Sequence, residues 1–593
     1  MSEHNHALTP DEVLEKYRVE REKRLRADGT AQYTELTDAY AEFDRDPFVE
    51  PGFARDPVIE ETDVVVIGAG IGGLTTAVQL VKKGVTDIRI LDRAGDFGGT
   101  WYWNRYPGCM CDVEGYVYIP MLEETGFMPT EKYAKAPEIF RQCQLLGEKF
   151  DLYSKALFQT ETHEAHWDEE AERWTVTTDR GDVLKARFIV VAGGILHKAK
   201  LPRIPGIESF EGSTFHAARW NYEVTGGGPT ELPTKLGDKT VAIVGTGATA
   251  VQVVPTIAPV TKQVYVVQRT PSAVGVRNNA STDSDWYFNQ KPGWQQDRMW
   301  NFTAMTSGLP LEQDMVGDAW TEVYRGNMAF GGEDKTKMPN DQRLLVDIEI
   351  MDRWRDRIEK TVQDQETAEK LKPWYDLWCK RPCYHDEYLP AFNRPNVKLL
   401  DTDGKGVEAI TRTGIVVEGK EYPVDIIVFA TGFEAGTMYK SRMHFEIYGK
   451  GGKSLSEDWA EGANAHTLHG LLSRGFPNAF LYSGAQGGFA TSIVHSLQEH
   501  GRHVAEIVSR MKERGATTIE PTPEAEEEWW NWILTGIEYG YDQMKECTPS
   551  WLNGEGNRDP SRMKMMIYLG PLRHYSDQVD EWLAKGMPGV EIA

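Results

Sequence analysis

"ETDVVVIGAGIGGLTTAVQLVKKG", residues 61–84, reads as a strand, a glycine turn and a helix in one continuous line. The apolar run Val64–Ile67 has the length of a strand buried on both faces. Gly68, Gly70 and Gly73 follow at G-x-G-x-x-G spacing and open the helix. That geometry makes an anion site, because unpaired helix N–H groups and the helix dipole converge where a dinucleotide pyrophosphate can sit. "IRILD" (88–92) supplies the next strand and ends in Asp92. A carboxylate there accepts hydrogen bonds from a ribose diol and repels a 2′-phosphate, so FAD or NAD suits this first site and NADP does not.

The same grammar returns once. "KTVAIVGTGATAVQVVPTIAP" (239–259) carries Gly245, Gly247 and Ala250, and "QVYVVQR" (263–269) is its second strand. Arg269 and Thr270 stand where the first unit has Asp92. A guanidinium favours the 2′-phosphate of NADPH. Two units of opposite charge preference imply one flavin and one NADPH, and therefore hydride transfer from nicotinamide to flavin. "ARFIVVAGG" (186–194) and "VDIIVFATGF" (424–433) end in small residues and read as crossings of the chain between the two units.

The expected fold class is α/β: two dinucleotide-binding (Rossmann-like) domains, with a helical insertion in the NADP domain and an N-terminal extension. The expected boundaries are 1–60 for the extension, 61–195 with 430–593 for a discontinuous FAD-binding domain, and 196–429 for the NADP-binding domain. The insertion spans about 280–380, where tryptophans 286, 294, 300, 320, 354, 374 and 378 fall among polar helix formers. Residues 11–27 predict a surface helix of the extension, which is expected to wrap the first domain. "PEAEEEWWNWILTGIEYGYDQMKE" (523–546) predicts an amphipathic helix with Trp529, Trp530 and Trp532 in packing roles.

The chain has 593 residues, 40% of them hydrophobic and 26% charged, enough for more than one core. A formal net charge of −25 argues against nucleic acid and anionic membranes as partners. The N-terminus has no apolar signal region, and no apolar run approaches the roughly 20 residues of a membrane helix. The expectation is a soluble cytoplasmic protein; nothing in the sequence speaks to its oligomeric state. Six cysteines are too few for a disulfide framework. Cys109 and Cys111, one residue apart and with no second cluster, read as small buried side chains and neither as a redox pair nor as zinc ligands, and no metal is expected.

Two further stretches carry a resemblance. "FEGSTFHAARWN" (210–221) holds Phe210, Gly212, His216 and Trp220, and "GGTWYWNRYPGCMCD" (98–112) holds Gly99, Trp101, Tyr106, Pro107, Gly108 and Asp112. From about residue 60 to the C-terminus the chain resembles the flavin-dependent Baeyer–Villiger monooxygenases that use NADPH. The first stretch matches that family's fingerprint F-x-G-x-x-x-H-x-x-x-W. Related N- and S-oxygenating enzymes typically carry Tyr or Phe at the position of Trp220. Asn221 departs from the family's usual Pro or Asp.

The resemblance implies several roles. Arg381, in "WCKRPCYHDEYLPAFNRPNV", is the catalytic arginine and Asp112 its acidic partner. Lys380 joins Arg269 and Thr270 at the 2′-phosphate of NADPH. Thr100, Trp101, Tyr102, Trp103, Asp112 and Tyr118 contact FAD. Gly245, Thr246, Gly247, Ala248, Thr249, Ala250 and Val251 take the NADP pyrophosphate, and Arg381 and Trp551, the latter in the mobile loop "TPSWLNG", reach the nicotinamide side. The implied reaction is oxidation of a ketone by O2 to an ester or lactone, through a flavin C4a-peroxide stabilised by Arg381. A permanent guanidinium suits that task, because it stabilises the anion without readily protonating it. Asp112 would orient it and lower the cost of burying it.

His216 has no second ligand at metal spacing and no base to be in this chemistry. It reads as a hydrogen-bonding brace coupling the two domains, with Gly212 as a turn and Phe210 and Trp220 as packing. The extension resembles that of the cyclopentadecanone and steroid monooxygenase subgroup. With the aromatic-rich "GYVYIPMLEETG" (115–126), this points to bulky cyclic or polycyclic ketones. Two alternatives stay open: an N- or S-oxygenating flavin monooxygenase, and a catalytically silent FAD/NADPH redox-sensing protein.

Overall fold

The run Val64–Ile67 forms the inner end of the strand Ile59–Ile67, and Val64, Val65 and Val66 are wholly buried. Burial of each contributes about 1.5–3 kcal/mol relative to exposure. The strand lies between Ile88–Leu91 and Val183–Val191, parallel to both. Ala156–Leu157 extends the sheet beyond 88–91, and Ala479–Leu481 joins 183–191. The antiparallel strands Thr162–Asp168 and Arg173–Thr178, and then Glu446–Tyr448, complete an eight-stranded sheet. The sheet thus unites early chain with chain beyond residue 445. The computed structural model describes residues 8–324, 329–330, 339–435, 440, 443–536, 546–557 and 559–593.

The helix Ile71–Lys82 follows the first glycine turn, and the long helix Ile493–Arg514 packs on it. The approach is close at Gly501, where a Cβ would stand 3.0 Å from Thr76 Oγ1. The second unit is a five-stranded, wholly parallel sheet in the order Val397–Asp401, Gln263–Gln268, Thr240–Val244, Ile426–Phe429, Ser213–His216. The fingerprint stretch therefore supplies its edge strand.

The span between the strands of the second unit folds into helices, among them Trp294–Ser307, Asn340–Thr361 and Gln365–Leu371. Arg298 of the first of these bonds the fully buried Glu114, with Nη2 donating to Oε2 at 3.0 Å. This fixes the insertion to the chain just beyond Asp112. The helix at 523 runs Pro523–Leu534, with Trp529 and Trp532 stacked at 4.6 Å; residues 537–545 of the predicted amphipathic stretch lie outside the described residues.

The N-terminal extension covers the second unit and its insertion as well as the first unit. Its helix, Pro10–Glu22, buries Val13 and Tyr17 against Ile348 of the insertion. Tyr33–Thr34 pairs with Leu201–Pro202, and Arg24 Nε donates to the carbonyl of Arg269 at 3.1 Å. It touches the first unit as well: Arg21 Nε donates to the carbonyl of Cys547 at 3.3 Å, Asn557 Nδ2 donates to the carbonyl of Arg26 at 3.1 Å, and farther along Asp44 and Asp46 accept from Arg93 and Tyr102. The polar stripe of residues 11–22 gave no address; the partner is set by apolar residues of the insertion.

One disulfide joins Cys379 to Cys547, 168 positions apart. The cysteine count correctly excludes a framework but gave no hint of this single bond. Cys109 and Cys111 are free and buried. Among the described residues no helix is long and apolar enough to cross a membrane.

Candidate active site

Both glycine loops open on one cavity of about 1360 Å³. A site for one small molecule occupies about 300–1,000 Å³, so this one has room for more than one ligand. The helices Ile71–Lys82 and Ala248–Ile257 start at Gly70 and Gly247 with no side chain capping them, so their first N–H groups remain available to an anion.

The glycines divide by task. Gly68 has φ +109°, and a Cβ there would meet the carbonyl oxygen of Ala192 at 2.5 Å. Gly245 repeats this with φ +111° and the carbonyl of Ala430, also at 2.5 Å. These two let each loop cross its neighbouring strand. A Cβ on Gly73 would fall 1.8 Å from the carbonyl oxygen of Gly68, so it is required for helix–strand packing. Gly247 has nothing within 4 Å of such a Cβ and leaves the cavity floor open. Residues arranged in this way fit two dinucleotides.

Asp92 borders the cavity at the end of Ile88–Leu91. Its Oδ2 accepts from Ala69 N at 2.6 Å and its Oδ1 from Ala94 N at 2.8 Å. Burial pushes its carboxyl above the usual range, and these two N–H groups oppose that push. Each oxygen retains a lone pair for a ribose hydroxyl.

Arg381 and Asp112 meet on the same wall. Arg381 Nη1 donates to Asp112 Oδ2 at 2.7 Å, and Nη2 donates to Oδ1, a bidentate pair. Asp112 is 4% exposed, whereas the Arg381 side chain is 43% exposed and lines the cavity. The free half of the guanidinium therefore faces the space that ligands would fill. Burial alone would raise the Asp112 carboxyl; the Arg381 guanidinium, and behind it Arg277, reverse this and hold it below the usual carboxylate range. Burial opposes the charge on Arg381, and Asp112 more than restores it. Trp320 Nε1 donates to the carbonyl of Asp112 at 2.8 Å, so the insertion also braces this pair.

Arg269, Thr270 and Lys380 gather at the mouth of the second loop. Burial pushes the Lys380 ammonium down to about 8, and the nearby Arg269 charge adds to this. Thr246 Oγ1 donates to the carbonyl of Thr270 at 2.6 Å, tying the loop to the end of its second strand.

Gly68, Gly70, Asp92, Thr100, Trp101, Trp103, Asp112, Tyr118, Gly245, Thr246, Gly247, Ala248, Thr249, Arg269, Thr270, Lys380, Arg381 and Trp551 all border the cavity. Gly73, Tyr102, Ala250 and Val251 do not. Tyr102 turns away: its hydroxyl donates to Asp46 of the extension at 2.7 Å, and its ring carries the Arg105 guanidinium at 4.4 Å. Gly108 approaches the second unit. Its φ of +80° brings it against the helix Ala248–Ile257, where a Cβ would stand 2.2 Å from Thr256 Oγ1. Beside it, Tyr106 OH donates to Gln252 Oε1 at 3.0 Å, and Gln252 Nε2 donates to the carbonyl of Met110 at 2.8 Å.

The fingerprint residues stand off the cavity. His216 is 2% exposed, lies opposite Phe429 in the parallel register, and its Nδ1 accepts from Ala218 N at 3.2 Å. Burial, reinforced by Arg219, drives its pKa down to about 3, so the ring is neutral. The ring meets Phe433 edge-on at 5.7 Å, beneath the crossing at 430–433. Gly212 has an ordinary φ; a Cβ there would meet the carbonyl of Asp425 at 2.4 Å, so close packing and not a turn explains it. Trp220 is buried against Phe215 and its Nε1 donates to Thr225 Oγ1 at 3.0 Å. Asn221 Oδ1 accepts from Val224 N at 3.1 Å, the cap an aspartate would supply.

Sequence reasoning missed four residues at the second mouth. Lys200 Nζ bonds Glu555 at 2.8 Å, Arg269 Nη1 donates to Gln32 Oε1 at 2.6 Å, and Tyr33 lies under Lys200 at 4.4 Å. None lies in a motif; only their convergence in space identifies them.

The pyridine nucleotide-disulphide oxidoreductase family model matches residues 62–284. The Baeyer–Villiger monooxygenase ATR8 of Stachybotrys chlorohalonatus is 45% identical over 567 residues, covering 95% of this chain and 90% of that one. Among solved structures, the polycyclic ketone monooxygenase of Thermothelomyces thermophila superposes with a TM-score of 0.90 at 36% identity, covering 98% of this chain and 99% of that one. A complex of OTEMO with FAD and NADP superposes with a TM-score of 0.74 at 27% identity, covering 91% of this chain and all of that one.

Proposed function

The chain belongs to the Baeyer–Villiger monooxygenases, FAD-containing enzymes that use NADPH, and from that premise we propose that it converts bulky cyclic or polycyclic ketones and O2 into lactones or esters. The observation that carries the reading is Arg381, anchored by the buried Asp112 and presenting its free half to a cavity shared by two dinucleotide loops. The likeness to a polycyclic ketone monooxygenase over almost the whole chain, and the breadth of the cavity, support the substrate class.

When bound, FAD and NADPH supply hydride transfer, O2 activation and oxygen transfer. The protein's part is positional and electrostatic. The uncapped helix at Gly70 takes the FAD pyrophosphate and Asp92 its ribose. Thr100, Trp101, Trp103 and Tyr118 line the flavin side and exclude water. The loop Gly245–Thr249 takes the NADP pyrophosphate, and Arg269, Thr270 and Lys380 its 2′-phosphate. Trp551 closes over the nicotinamide side. Arg381 sets a fixed positive charge where negative charge develops on oxygen as the carbonyl is attacked, and Asp112 holds that charge in one orientation. A closed, dry cavity strengthens this interaction and suppresses loss of the activated oxygen to water.

On this reading the FAD-binding domain comprises 61–195 and 430–593, the NADP-binding domain 196–429, and residues 1–60 form the extension. The location that suits NADPH use is the cytoplasm, where the Cys379–Cys547 bond would be open to reduction by cellular thiols. The test is a panel of cyclic, polycyclic and linear ketones, with an amine and a thioether as controls. FAD-loaded protein is followed for NADPH loss and, by gas chromatography–mass spectrometry, for product. Ester formation from the larger rings coupled to NADPH loss is expected; oxidation of only the amine or thioether, or no product at all, would overturn the proposal.

A further inference from the structure

Glu555 is an anion buried in a cationic corner. It is 3% exposed, its Oε1 is 2.8 Å from Lys200 Nζ, and its Oε2 is 3.3 Å from Arg269 Nη2. Burial alone would raise its carboxyl, but Lys200, Arg269 and Lys380 outweigh this and keep it ionised. Arg269 and Lys380 are the residues assigned above to the 2′-phosphate of NADPH. A carboxylate therefore already stands where that phosphate would bind.

We propose that Glu555 is a built-in, displaceable occupant of the 2′-phosphate site, and that Lys200 is a further phosphate ligand which Glu555 neutralises until the phosphate arrives. This rests on the NADPH reading of the second glycine loop. Two anions cannot share these cations at contact distance without mutual repulsion. A phosphate monoester carries about −1.5 to −2 charge and three acceptor oxygens, so it displaces a single carboxylate. A 2′-hydroxyl carries no charge and leaves Glu555 in place. Occupancy of the corner thus keeps the cations neutralised while no phosphate is bound, and it weakens phosphate binding without touching the 2′-hydroxyl form.

The loop is built for such a release. Its base is fixed by the Cys379–Cys547 bond and by Ser550 Oγ, which donates to the carbonyl of Cys379 at 2.9 Å. Asn553 Nδ2 fastens the next turn to the carbonyls of Cys547 and Thr548. Glu555 follows, between Gly554 and Gly556; its own N–H donates to the carbonyl of Ser550 at 2.8 Å, and the N–H of Gly556 donates to Asn553 Oδ1 at 3.0 Å. Its departure from Lys200 and Arg269 opens these two bonds, while those of Ser550 Oγ and Asn553 Nδ2 still hold the turn that carries Trp551.

The experiment measures dissociation constants of 2′,5′-ADP and 5′-ADP by calorimetry on the FAD-loaded full chain and on Glu555→Gln and Lys200→Ala. Unaltered protein should prefer 2′,5′-ADP by at least about tenfold; if it does not, the NADPH reading itself fails. With that preference in hand, Glu555→Gln should bind 2′,5′-ADP about tenfold more tightly with 5′-ADP unchanged, and Lys200→Ala about tenfold more weakly. Equal or weaker binding of 2′,5′-ADP by Glu555→Gln would overturn the proposal. Hydrogen exchange on the unaltered chain gives a second readout: 2′,5′-ADP should reduce protection of the peptide 553–557 and 5′-ADP should not. Unchanged protection with both ligands would contradict displacement.

Discussion

Arg381 and Asp112 are 269 positions apart in the chain, yet they form a bidentate ion pair on the cavity wall. Their neighbour Lys380 is tuned differently. With its ammonium pushed down to about 8, it is charged below that pH and neutral above it in the dinucleotide-free protein. Above pH 8, binding a 2′-phosphate must therefore take up a proton. NADP+ affinity should stay level from pH 6.5 to about 7.5 and then weaken, approaching about tenfold per pH unit, when followed by calorimetry. Lys380→Arg should remove this dependence. His216 is neutral throughout that range, because burial holds it near 3. Replacing it with alanine should leave FAD bound while slowing flavin reduction or uncoupling NADPH use, as read by stopped-flow absorbance. Full coupled activity in that variant would show that it braces nothing.

At the scale of elements, the two units are held in register by a few tight contacts. Gly108 pairs a left-handed backbone with contact to Thr256 and Gln252 of the neighbouring helix. Gly108→Ala meets both obstacles, so it should lower the apparent melting temperature by several degrees while the isolated loops remain intact; the cost expected is about 1–3 kcal/mol. Thermal scans with and without NADP+ check this. The Cys379–Cys547 bond ties the segment carrying Lys380 and Arg381 to the loop carrying Trp551 and Glu555. Cys547→Ser, or reduction with a dithiol, should speed proteolytic cleavage near 546–557 and raise the fraction of NADPH consumed without ester formation. No change in either would mean that the hydrogen bonds of Ser550 and Asn553 suffice to hold the loop.

At the scale of the whole molecule, what was legible in the sequence was what is local. Each glycine loop follows its own strand and opens its own helix, so the motif and its geometry come from the same few residues. Asp92 and Arg269 are legible for the same reason: each ends the second strand of its unit. Convergence of remote segments is a different matter. Tyr102 sits within a cofactor-like stretch but faces the extension, because Asp46 and Arg105 claim it. Gln32, Lys200 and Glu555 lie in three unrelated stretches and meet only in the folded chain. The role of Arg381 was legible solely through resemblance, since a Lys-Arg pair in a polar segment has no signature of its own. The central claim is that this guanidinium, held by Asp112, is the charge on which oxygen transfer depends. The most direct measurement compares Arg381→Ala with the unaltered FAD-loaded protein on one converted ketone, following NADPH loss and ester yield together. The account predicts that the variant retains FAD, still oxidises NADPH, and loses ester formation by at least about a hundredfold; an ester yield equal to that of the unaltered protein would contradict it.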